Sequence, residues 1–374
     1  MNIVHVGPSG LPVLSEMGGA VQRRMWELAR EQVKHGLDVT IISPSSSQQV
    51  EVKSGVRIVS IPLKSRRPIR DYEFLFKARR VLAKMPPFDV LHAHGSPDAS
   101  RLLGIHAKVS VQTVDYFRYR ATNNRGGHAY YVRSLNRYGA IMPVSGFCER
   151  TFKEFYPALH TRVVEVPNGV DLEQFRPDPA AGEEARISLR LPPGPLVVYL
   201  GRVCFQKGSD LLGGLAESLE LTHPQAHVVA VGPPDQFGDT GRSPLMEELA
   251  LRGVHCTGAI HENLLRGVLN AATLVALPTR HDEMFGMAAL EALACGTPVA
   301  ASDLGGIPEA VGSGGALFPI GDAEAFHSTV GGLLDDPTKL ELMREAARPH
   351  AAKFSWSMIA SLTAEVYKTA LVDG

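Results

Sequence analysis

Residues 2–42 carry the strongest fold signal in the chain and read NIVHVGPSGLPVLSEMGGAVQRRMWELAREQVKHGLDVTII. Two β-branched runs, residues 2–6 and 39–42, flank a segment from Ala20 to His35 whose apolar residues recur at helical spacing. Gly36 then supplies the C-terminal stop that such a helix needs. The residues predicted to share the apolar face are Val21, Met25, Leu28, Ala29 and Val33. This stretch predicts one βαβ unit of a parallel sheet.

Further strand and helix patterns extend this alternation along the chain. Strands are predicted at residues 57–61, 89–92, 109–113, 140–144 and 163–166, and again at 196–200, 227–231, 254–256, 274–278 and 298–301. Residues 176–195 separate the two series and, being rich in proline, glycine and charge, are typical of an interdomain linker. At 374 residues the chain is long enough for two domains. We therefore predict an α/β protein with two doubly wound parallel sheets, in which ligands bind at the carboxyl ends of strands.

Composition excludes several classes of protein. The 38 basic and 39 acidic residues leave a formal net charge of -1, so no overall field attracts nucleic acid. The four cysteines are scattered and form no C-x-x-C pair, which argues against zinc ribbons and a disulfide framework. No basic segment or apolar leader precedes the first strand, and no apolar run approaches the ~20 residues that span a bilayer. A cytoplasmic protein is the expectation.

The loop after the first strand of the second series, GRVCFQKG at residues 201–208, holds two cations five positions apart, Arg202 and Lys207. Two fixed cations at a strand end suit a diphosphate, because each charge-assisted contact contributes about 1.5 to 3 kcal/mol. A solvated loop with unrelated charges is the alternative.

A second loop, EMFGMAALE at residues 283–291, follows a predicted strand and opens a predicted helix that begins at Gly286. Amide N–H groups at a helix start point towards bound anions. Glu283 and Glu291 would flank such an anion, where their carboxylates accept hydrogen bonds from sugar and ribose hydroxyls. The alternative is an acid favoured by the helix dipole, followed by an exposed mid-helix glutamate.

The two loops together resemble glycosyltransferase family 4 of the GT-B fold, and the resemblance covers nearly the whole chain. The family's G-R-x-x-x-x-K-G stands at residues 201–208, its E-x7-E at 283–291 and the following E-A-x-A-x-G-x-P-V at 291–299. Its G-G-x-x-E matches residues 305–309, and its P-N-G-V-D at the domain junction matches residues 167–171.

This resemblance implies a domain arrangement and a reaction. Two Rossmann-like domains would face a central cleft, with residues 1–172 and a C-terminal helix at 355–374 that crosses back binding the acceptor, and residues 173–354 binding the donor. The family moves a sugar from a nucleotide diphosphate sugar with retention of anomeric configuration. No D-x-D sequence is present to hold a divalent cation, so no metal and no other cofactor is expected. The donor phosphate itself would accept the proton of the acceptor hydroxyl.

Site residues follow from the matched motifs. The resemblance implies that Arg202 and Lys207 bind the donor diphosphate, Glu283 the transferred sugar and Glu291 the ribose. His94, at the end of a predicted strand, corresponds to the family histidine near the donor sugar. The further donor contacts that the resemblance implies are Gly18, Gly19, Phe285, Gly286 and Met287. The predicted catalytic residues are Arg202, Lys207, Glu283 and His94.

Strand alternation places His92 on the same face as His94. A metal held by this pair is one interpretation, but the sequence offers no evident third ligand. A buried His92 with its hydrogen bonds satisfied is the other.

Three residues give an acceptor hypothesis. Where the family often shows T-x-H, this chain reads Thr113-Val114-Asp115. Asp115 would hold a hydroxyl or a cationic amine of the acceptor, or would cap the next helix. Tyr116 begins a run of aromatic and basic residues that would form an acceptor platform. Asn168 lies in a Pro-Asn-Gly sequence, for which a plain turn is the alternative.

Residues 64–84 contain eight basic and two acidic residues, in contrast to the neutral whole. Such a patch would attract anionic lipid headgroups at about 1 kcal/mol per charge, and an ordinary exposed helix face is the alternative. Peripheral membrane contact would make the acceptor a lipid-linked glycan, whereas its absence favours a small molecule or a soluble glycan.

The expected donor is a UDP-sugar, with no nucleic-acid partner and with a monomer or homodimer as the assembly. A GT-B nucleotide-sugar epimerase is the nearest competing enzyme. A dinucleotide-dependent oxidoreductase is disfavoured, because G-x-G-x-x-G follows none of the predicted strands.

Overall fold

A computed structural model describes residues 1–14, 19–66, 69–115, 125–234, 243–281 and 283–373. The chain divides into two compact units. Residues Met1–Gly169 and Trp356–Gly374 form the first unit, and Val170–Ser355 form the second. This division falls three residues before the limit at 172 set from the sequence. Helices and strands are numbered in chain order.

The first unit is built on an eight-stranded sheet in the order β3-β4-β2-β1-β5-β6-β7-β8. Its strands are β1 (Asn2–Val6), β2 (Asp38–Ser45), β3 (Gln49–Lys53), β4 (Val56–Pro62), β5 (Phe88–His94), β6 (Ala107–Val114), β7 (Ala140–Pro143) and β8 (Arg162–Val163). Neighbours pair in parallel except β3, which pairs antiparallel with β4 at one edge. The central strands are buried on both faces, as expected where helices cover both sides of a parallel sheet.

Among the described residues, the helices of the first unit are α1 (Ala20–Lys34), α2 (Ile69–Leu82), α3 (Ala99–Leu103), α4 (Arg125–Leu135), α5 (Gly146–Phe155) and, from the end of the chain, α14 (Trp356–Asp373). Helix α1 packs against α14. Gly36, with φ 79°, follows the last turn of α1 as predicted. The buried side of α1 differs from the prediction, because Gln22, Arg24 and Gln32 lie there beside Met25 and Leu28.

The second unit is built on a six-stranded parallel sheet in the order β11-β10-β9-β12-β13-β14. Its strands are β9 (Leu196–Leu200), β10 (His227–Val231), β11 (His255–Gly258), β12 (Leu274–Leu277), β13 (Val299–Ser302) and β14 (Gly315–Phe318). Its helices are α6 (Pro179–Ser188), α7 (Leu211–Thr222), α8 (Pro244–Leu251), α9 (Glu262–Ala271), α10 (Met287–Ala294), α11 (Ile307–Val311), α12 (Ala323–Leu334) and α13 (Pro337–Ala352).

The interpretation of residues 176–195 as a linker is wrong, because this segment lies inside the second unit and half of it forms helix α6. Asp178 caps the helix by accepting a hydrogen bond from the Ala181 amide at 3.0 Å, with Pro179 at the first helical position. Gly182 then packs against the backbone of α9, where a Cβ would lie 3.2 Å from the amide nitrogen of Ala271. Proline, glycine and charge therefore mark a helix start here.

The four cysteines are free thiols, as predicted. Across the ranges that the structure describes, no helix combines enough length with enough apolar character to cross a bilayer.

Candidate functional site

Strands β9 and β12 are neighbours in the second sheet, with β10 on the far side of β9 and β13 on the far side of β12. Connections leaving the carboxyl ends of β9 and β12 therefore diverge. A crevice opens at such a switch point, which is where ligands bind in open α/β sheets. Residues 201–208 leave β9 and residues 278–286 leave β12. Both motif loops predicted from the sequence therefore start at one switch point.

Backbone contacts hold the two loops together. The amides of Arg280 and His281 both donate to the Gln206 carbonyl, at 3.0 and 3.2 Å. Gly208 has φ 70°, and a Cβ there would lie 1.7 Å from the Pro278 carbonyl oxygen. Only glycine permits this approach, so the glycine of G-R-x-x-x-x-K-G sets the distance between the loops.

A third loop supports Glu283. The Gly306 amide donates to the Glu283 carbonyl at 2.8 Å, and a Cβ on Gly305 would lie 2.2 Å from the same oxygen. The G-G-x-x-E motif thus fixes the backbone that carries Glu283. Its glutamate, Glu309, lies in the first turn of α11.

Lys207 and Glu283 form an ion pair across the two loops, from Lys207 Nζ to Glu283 Oε2. Their side chains are 30% and 26% exposed, so a ligand can reach both. Arg202 lies in the same β9 loop and is partly exposed. A phosphate entering here would replace Glu283 as the partner of Lys207, which leaves the carboxylate free to accept hydrogen bonds from neighbouring hydroxyls.

Helix α10 begins beside this ion pair. Gly286 precedes its first residue, Met287, with φ 106°, and Phe285 is buried with its ring centroid 5.4 Å from that of Phe354. These contacts fix the helix start, whose amides favour an anion. Glu291 is 5% exposed, so the interpretation of this residue as an exposed mid-helix glutamate is wrong.

A second ion pair at these loops was not predicted from the sequence. Arg280 Nη1 donates to both carboxylate oxygens of Asp210, at 2.7 and 2.6 Å. The Arg280 guanidinium also lies 4.5 Å from the ring centroid of Phe205, which is exposed. The pair joins the β12 loop to the start of α7. The only signal in the sequence is that Arg280 follows a predicted strand. The sequence does not show that this strand lies beside β9, so the contact with Asp210 could not be predicted.

The first unit also has a switch point, between β1 and β5. His5 on β1 and His92 and His94 on β5 meet there, with ring centroids 4.2 to 5.3 Å apart and no exposed surface. The expectation that no third ligand accompanies the pair is wrong, because His5 brings a third ring to it. His5 lies directly beside His92 in the register of the two strands, which the sequence alone does not give.

Hydrogen bonds fix where the protons of His5 and His94 lie. Gln32 Oε1 accepts from His5 Nε2 at 2.7 Å, so His5 Nδ1, 2.9 Å from His94 Nε2, accepts. Burial lowers the pKa of both rings, and His94 therefore donates through Nε2 and keeps a lone pair on Nδ1. Gln32 Nε2 donates to Tyr367 Oη at 3.0 Å. Tyr367 Oη in turn lies 2.6 Å from His92 Nδ1.

The ligand atoms of the three histidines lie within 4.8 Å of one another, close enough to test for a metal. Both nitrogens of His5 and of His92 already bond to protein groups. The charge of Arg24 also lowers the pKa of each ring, so it opposes a cation at the same place. The donor set does not fit a metal, and the finding agrees with a buried, satisfied His92.

Arg24 and Asp115 form a buried ion pair, with Nη1 and Oδ1 3.3 Å apart and side chains 2% and 11% exposed. Arg24 Nη2 also donates to the Val166 carbonyl at 3.5 Å. Burial lowers the pKa of Arg24 and raises that of Asp115, and the attraction between the two opposes both shifts. Asp115 is therefore held by the first helix of the unit.

Several buried polar atoms near this carboxyl edge have no hydrogen-bond partner within the described part of the chain. They include Arg24 Nε, His94 Nδ1, Asp115 Oδ2 and Asn168 Oδ1. One donor and three acceptors suit a ligand with several hydroxyl groups. Gly19 precedes the first residue of α1 with φ 136°. Gly18 and Tyr116 lie outside the described residues.

We predict that the first unit is sensitive to acid because of His5. Burial lowers the pKa of His5 from 6.5 to about 4. The unfolded chain therefore takes up a proton before the folded chain does, and stability falls as the pH drops from 6.5 to about 4. At ~1.4 kcal/mol per pH unit, the loss from His5 alone is about 3 kcal/mol. Urea unfolding followed by tryptophan fluorescence measures it, since Trp26 and Trp356 both lie in the first unit.

The variant His5→Asn provides the comparison, because asparagine does not titrate. Its stability should depend less steeply on pH across this window. An identical slope in the two proteins would refute the burial of an uncharged His5.

Comparison with known proteins assigns both halves of the chain to one family. Residues 182–350 match the family model described as Glycosyl transferases group 1, and residues 17–174 match Glycosyltransferase Family 4. D-inositol 3-phosphate glycosyltransferase 1 from Catenulispora acidiphila is 30% identical over 379 residues, which cover 93% of this chain and 90% of the relative. A D-inositol 3-phosphate glycosyltransferase from Segniliparus rotundus is 34% identical over 226 residues, or 59% of this chain and only half of the relative.

Solved structures share the fold at lower identity. Sucrose-phosphate synthase from Thermosynechococcus elongatus superposes with a TM-score of 0.80 at 22% identity over the full length of both chains. HepE from Anabaena, solved with UDP-glucose, gives a TM-score of 0.74 at 18% identity and covers 99% of this chain and all of HepE. The two α/β units thus have the GT-B fold. Because family models match both units and a relative matches nearly the whole chain, the chain belongs to glycosyltransferase family 4 and is a glycosyltransferase.

Proposed function

We propose that this protein transfers a sugar from a nucleotide diphosphate sugar, most simply a UDP-sugar, to a hydroxyl of a small-molecule or glycan acceptor. The observation that carries the proposal is the ion pair of Lys207 and Glu283 at the switch point of the second sheet. In this pair, a cation suited to a phosphate lies beside a carboxylate suited to a hydroxyl. HepE, which shares the fold, was solved with UDP and with UDP-glucose, and this supports the choice of donor.

Donor binding is assigned to the second unit. Lys207 and Arg202 would neutralise the diphosphate together with the amides at the start of α10. Glu283, released from Lys207, would accept hydrogen bonds from the transferred sugar, and Glu291 from the ribose. Negative charge grows on the departing diphosphate as its bond to the anomeric carbon breaks, so fixed cations there stabilise the transition state more than the ground state.

We further propose that configuration is retained and that no metal takes part. The new bond would form on the face from which the diphosphate leaves, and a phosphate oxygen would take the proton of the acceptor hydroxyl. The proton lost by the acceptor hydroxyl leaves with the released nucleoside diphosphate, so the reaction needs no separate base. The cationic side chains perform the charge neutralisation that a divalent ion performs in other transferases.

Acceptor binding is assigned to the first unit, where unpartnered polar atoms of Arg24, His94, Asp115 and Asn168 lie. The relatives named above are called D-inositol 3-phosphate glycosyltransferases, so a phosphorylated cyclitol is the first acceptor to test. Asp115, standing where the family often has histidine, would instead favour an uncharged polyol or an amine, because its Oδ2 atom is free to accept a hydrogen bond. The two acceptor classes are distinguished by measuring transfer to each.

Calorimetric titration with UDP, GDP, ADP and TDP in the presence of a chelator tests the donor proposal. We expect one of the four to bind, with an affinity that added magnesium does not raise. Binding that requires magnesium would contradict the metal-free mechanism, and binding of none would contradict the donor assignment.

Product analysis tests the reaction class. Proton NMR of the glycoside should show the same anomeric configuration as in the donor sugar. Incubation without an acceptor separates transfer from epimerisation, because an epimerase would convert the nucleotide sugar to its epimer under those conditions.

A further inference from the structure

Helix α2 presents an exposed face that the proposed reaction does not use. Ile69, Tyr72 and Phe76 are 66%, 46% and 54% exposed, and their spacing of three and four places them on one stripe of the helix. The opposite face is buried and packs on the first unit through Phe74, Leu75, Ala78 and Leu82. The helix is therefore apolar on two sides, although only one of them is covered.

Exposed cations lie at both ends of this apolar stripe. Arg79, Arg80 and Lys84 continue it beyond Phe76, and Lys64 and Arg66 precede the helix. None of these five pairs with a carboxylate among the residues that the structure describes. The stripe together with these cations is called the α2 face below.

Both acidic residues of α2 are directed towards partners of the protein itself. Glu73 accepts from Lys77 Nζ at 2.7 Å and from the Ser65 amide at 2.9 Å, and these bonds lower its pKa to about 2. Asp71 accepts a hydrogen bond from Ser9. The α2 face thus contains no carboxylate. Although residues 64–84 include both acidic and basic residues, the charges on this face are all positive.

We propose that the α2 face docks on an anionic membrane surface. Each cation near such a surface contributes about 1 kcal/mol, and aromatic side chains such as those of Tyr72 and Phe76 favour the interface between headgroups and acyl chains. A second copy of the chain fits less well, because a two-fold contact between α2 faces would bring together ten like charges. The proposal concerns where the enzyme works and stands apart from the donor chemistry above.

Flotation of the full-length protein with phospholipid vesicles tests it. The protein should float with vesicles of phosphatidylcholine and phosphatidylglycerol but not with phosphatidylcholine alone, and high salt should weaken the binding. Arg79→Glu/Arg80→Glu should reduce partitioning by about 30-fold or more. Phe76→Ser, which removes apolar contact without changing charge, should reduce it by about tenfold.

Matched controls lie in the second unit. Arg190→Glu/Lys339→Glu reverses two exposed charges, and Leu251→Ser removes a leucine that is 90% exposed. Both should bind vesicles as the unaltered protein does, and thermal unfolding of every variant checks its fold. Equal binding to neutral vesicles, equal loss in the controls, or a dimer in sedimentation that Phe76→Ser dissociates would each overturn the proposal.

Discussion

Lys207→Ala is expected to weaken UDP binding by about 10- to 150-fold and to lower the transfer rate further. A hydrogen bond from an ammonium to a phosphate contributes about 1.5 to 3 kcal/mol, and each 1.4 kcal/mol is a factor of ten in affinity. The variant also leaves Glu283 without its partner beside the diphosphate, which adds repulsion. Because charge on the leaving group grows in the transition state, the rate should fall by roughly 10² to 10³.

A second variant separates the loss of the Lys207 ammonium group from the repulsion between Glu283 and the diphosphate. Lys207→Ala/Glu283→Gln removes the repelling carboxylate as well, so it should recover part of the affinity for UDP while transfer stays low. Lys339→Ala, an exposed lysine of the same unit, is the control and should bind UDP normally. Calorimetry and initial rates give both quantities. Undiminished UDP binding in Lys207→Ala and Arg202→Ala alike would refute the donor site.

Arg24→Leu is expected to destabilise the first unit by about 3 to 5 kcal/mol. The substitution removes one member of a buried ion pair and leaves the Asp115 carboxylate without compensation. The leucine fills much of the space of the arginine, so loss of charge rather than a cavity dominates the effect. Urea unfolding followed by tryptophan fluorescence reports this unit selectively, since it holds both tryptophans.

Two comparisons test the cause. Arg24→Leu/Asp115→Leu removes both charges and should recover most of the lost stability, because a pair of apolar side chains replaces a buried ion pair at little cost. Arg30→Leu lies on the same helix, where Arg30 pairs with Glu27 near the surface at 2.8 Å, and it should cost roughly 0.5 kcal/mol. If Arg30→Leu and Arg24→Leu destabilise equally, the buried pair has no special role.

Local patterns were sufficient for the central strands and for helix α1. Buried parallel strands are short runs of β-branched residues, and Gly36 ends its helix through a positive φ that glycine adopts without strain. Strand β3 was missed because its residues are all exposed and give no hydrophobic run. Helix α6 was missed because proline and glycine were interpreted as breakers, whereas Pro179 starts the helix and Gly182 permits close packing.

The donor loops could be located from the sequence because each lies in the connection that leaves the carboxyl end of a strand. What the sequence could not give is the order of strands in a sheet, and that order brings Lys207 to Glu283 and His5 to His92. Burial of Arg24 was equally hidden, because its ion-pair partner, Asp115, is 91 residues away. Charged residues on an otherwise apolar helix side are expected to be solvated until such a partner is known.

Helix α14 has a consequence for biosynthesis. The second unit is one continuous stretch, Val170–Ser355, whereas the first unit includes Trp356–Gly374 from the far end of the chain. Tyr367 of α14 bonds to Gln32 and to His92, so the polar chain at the first switch point is incomplete until that tyrosine has left the ribosome. The unit translated first is thus the one finished last, and its amino-terminal part must stay soluble throughout synthesis of the other.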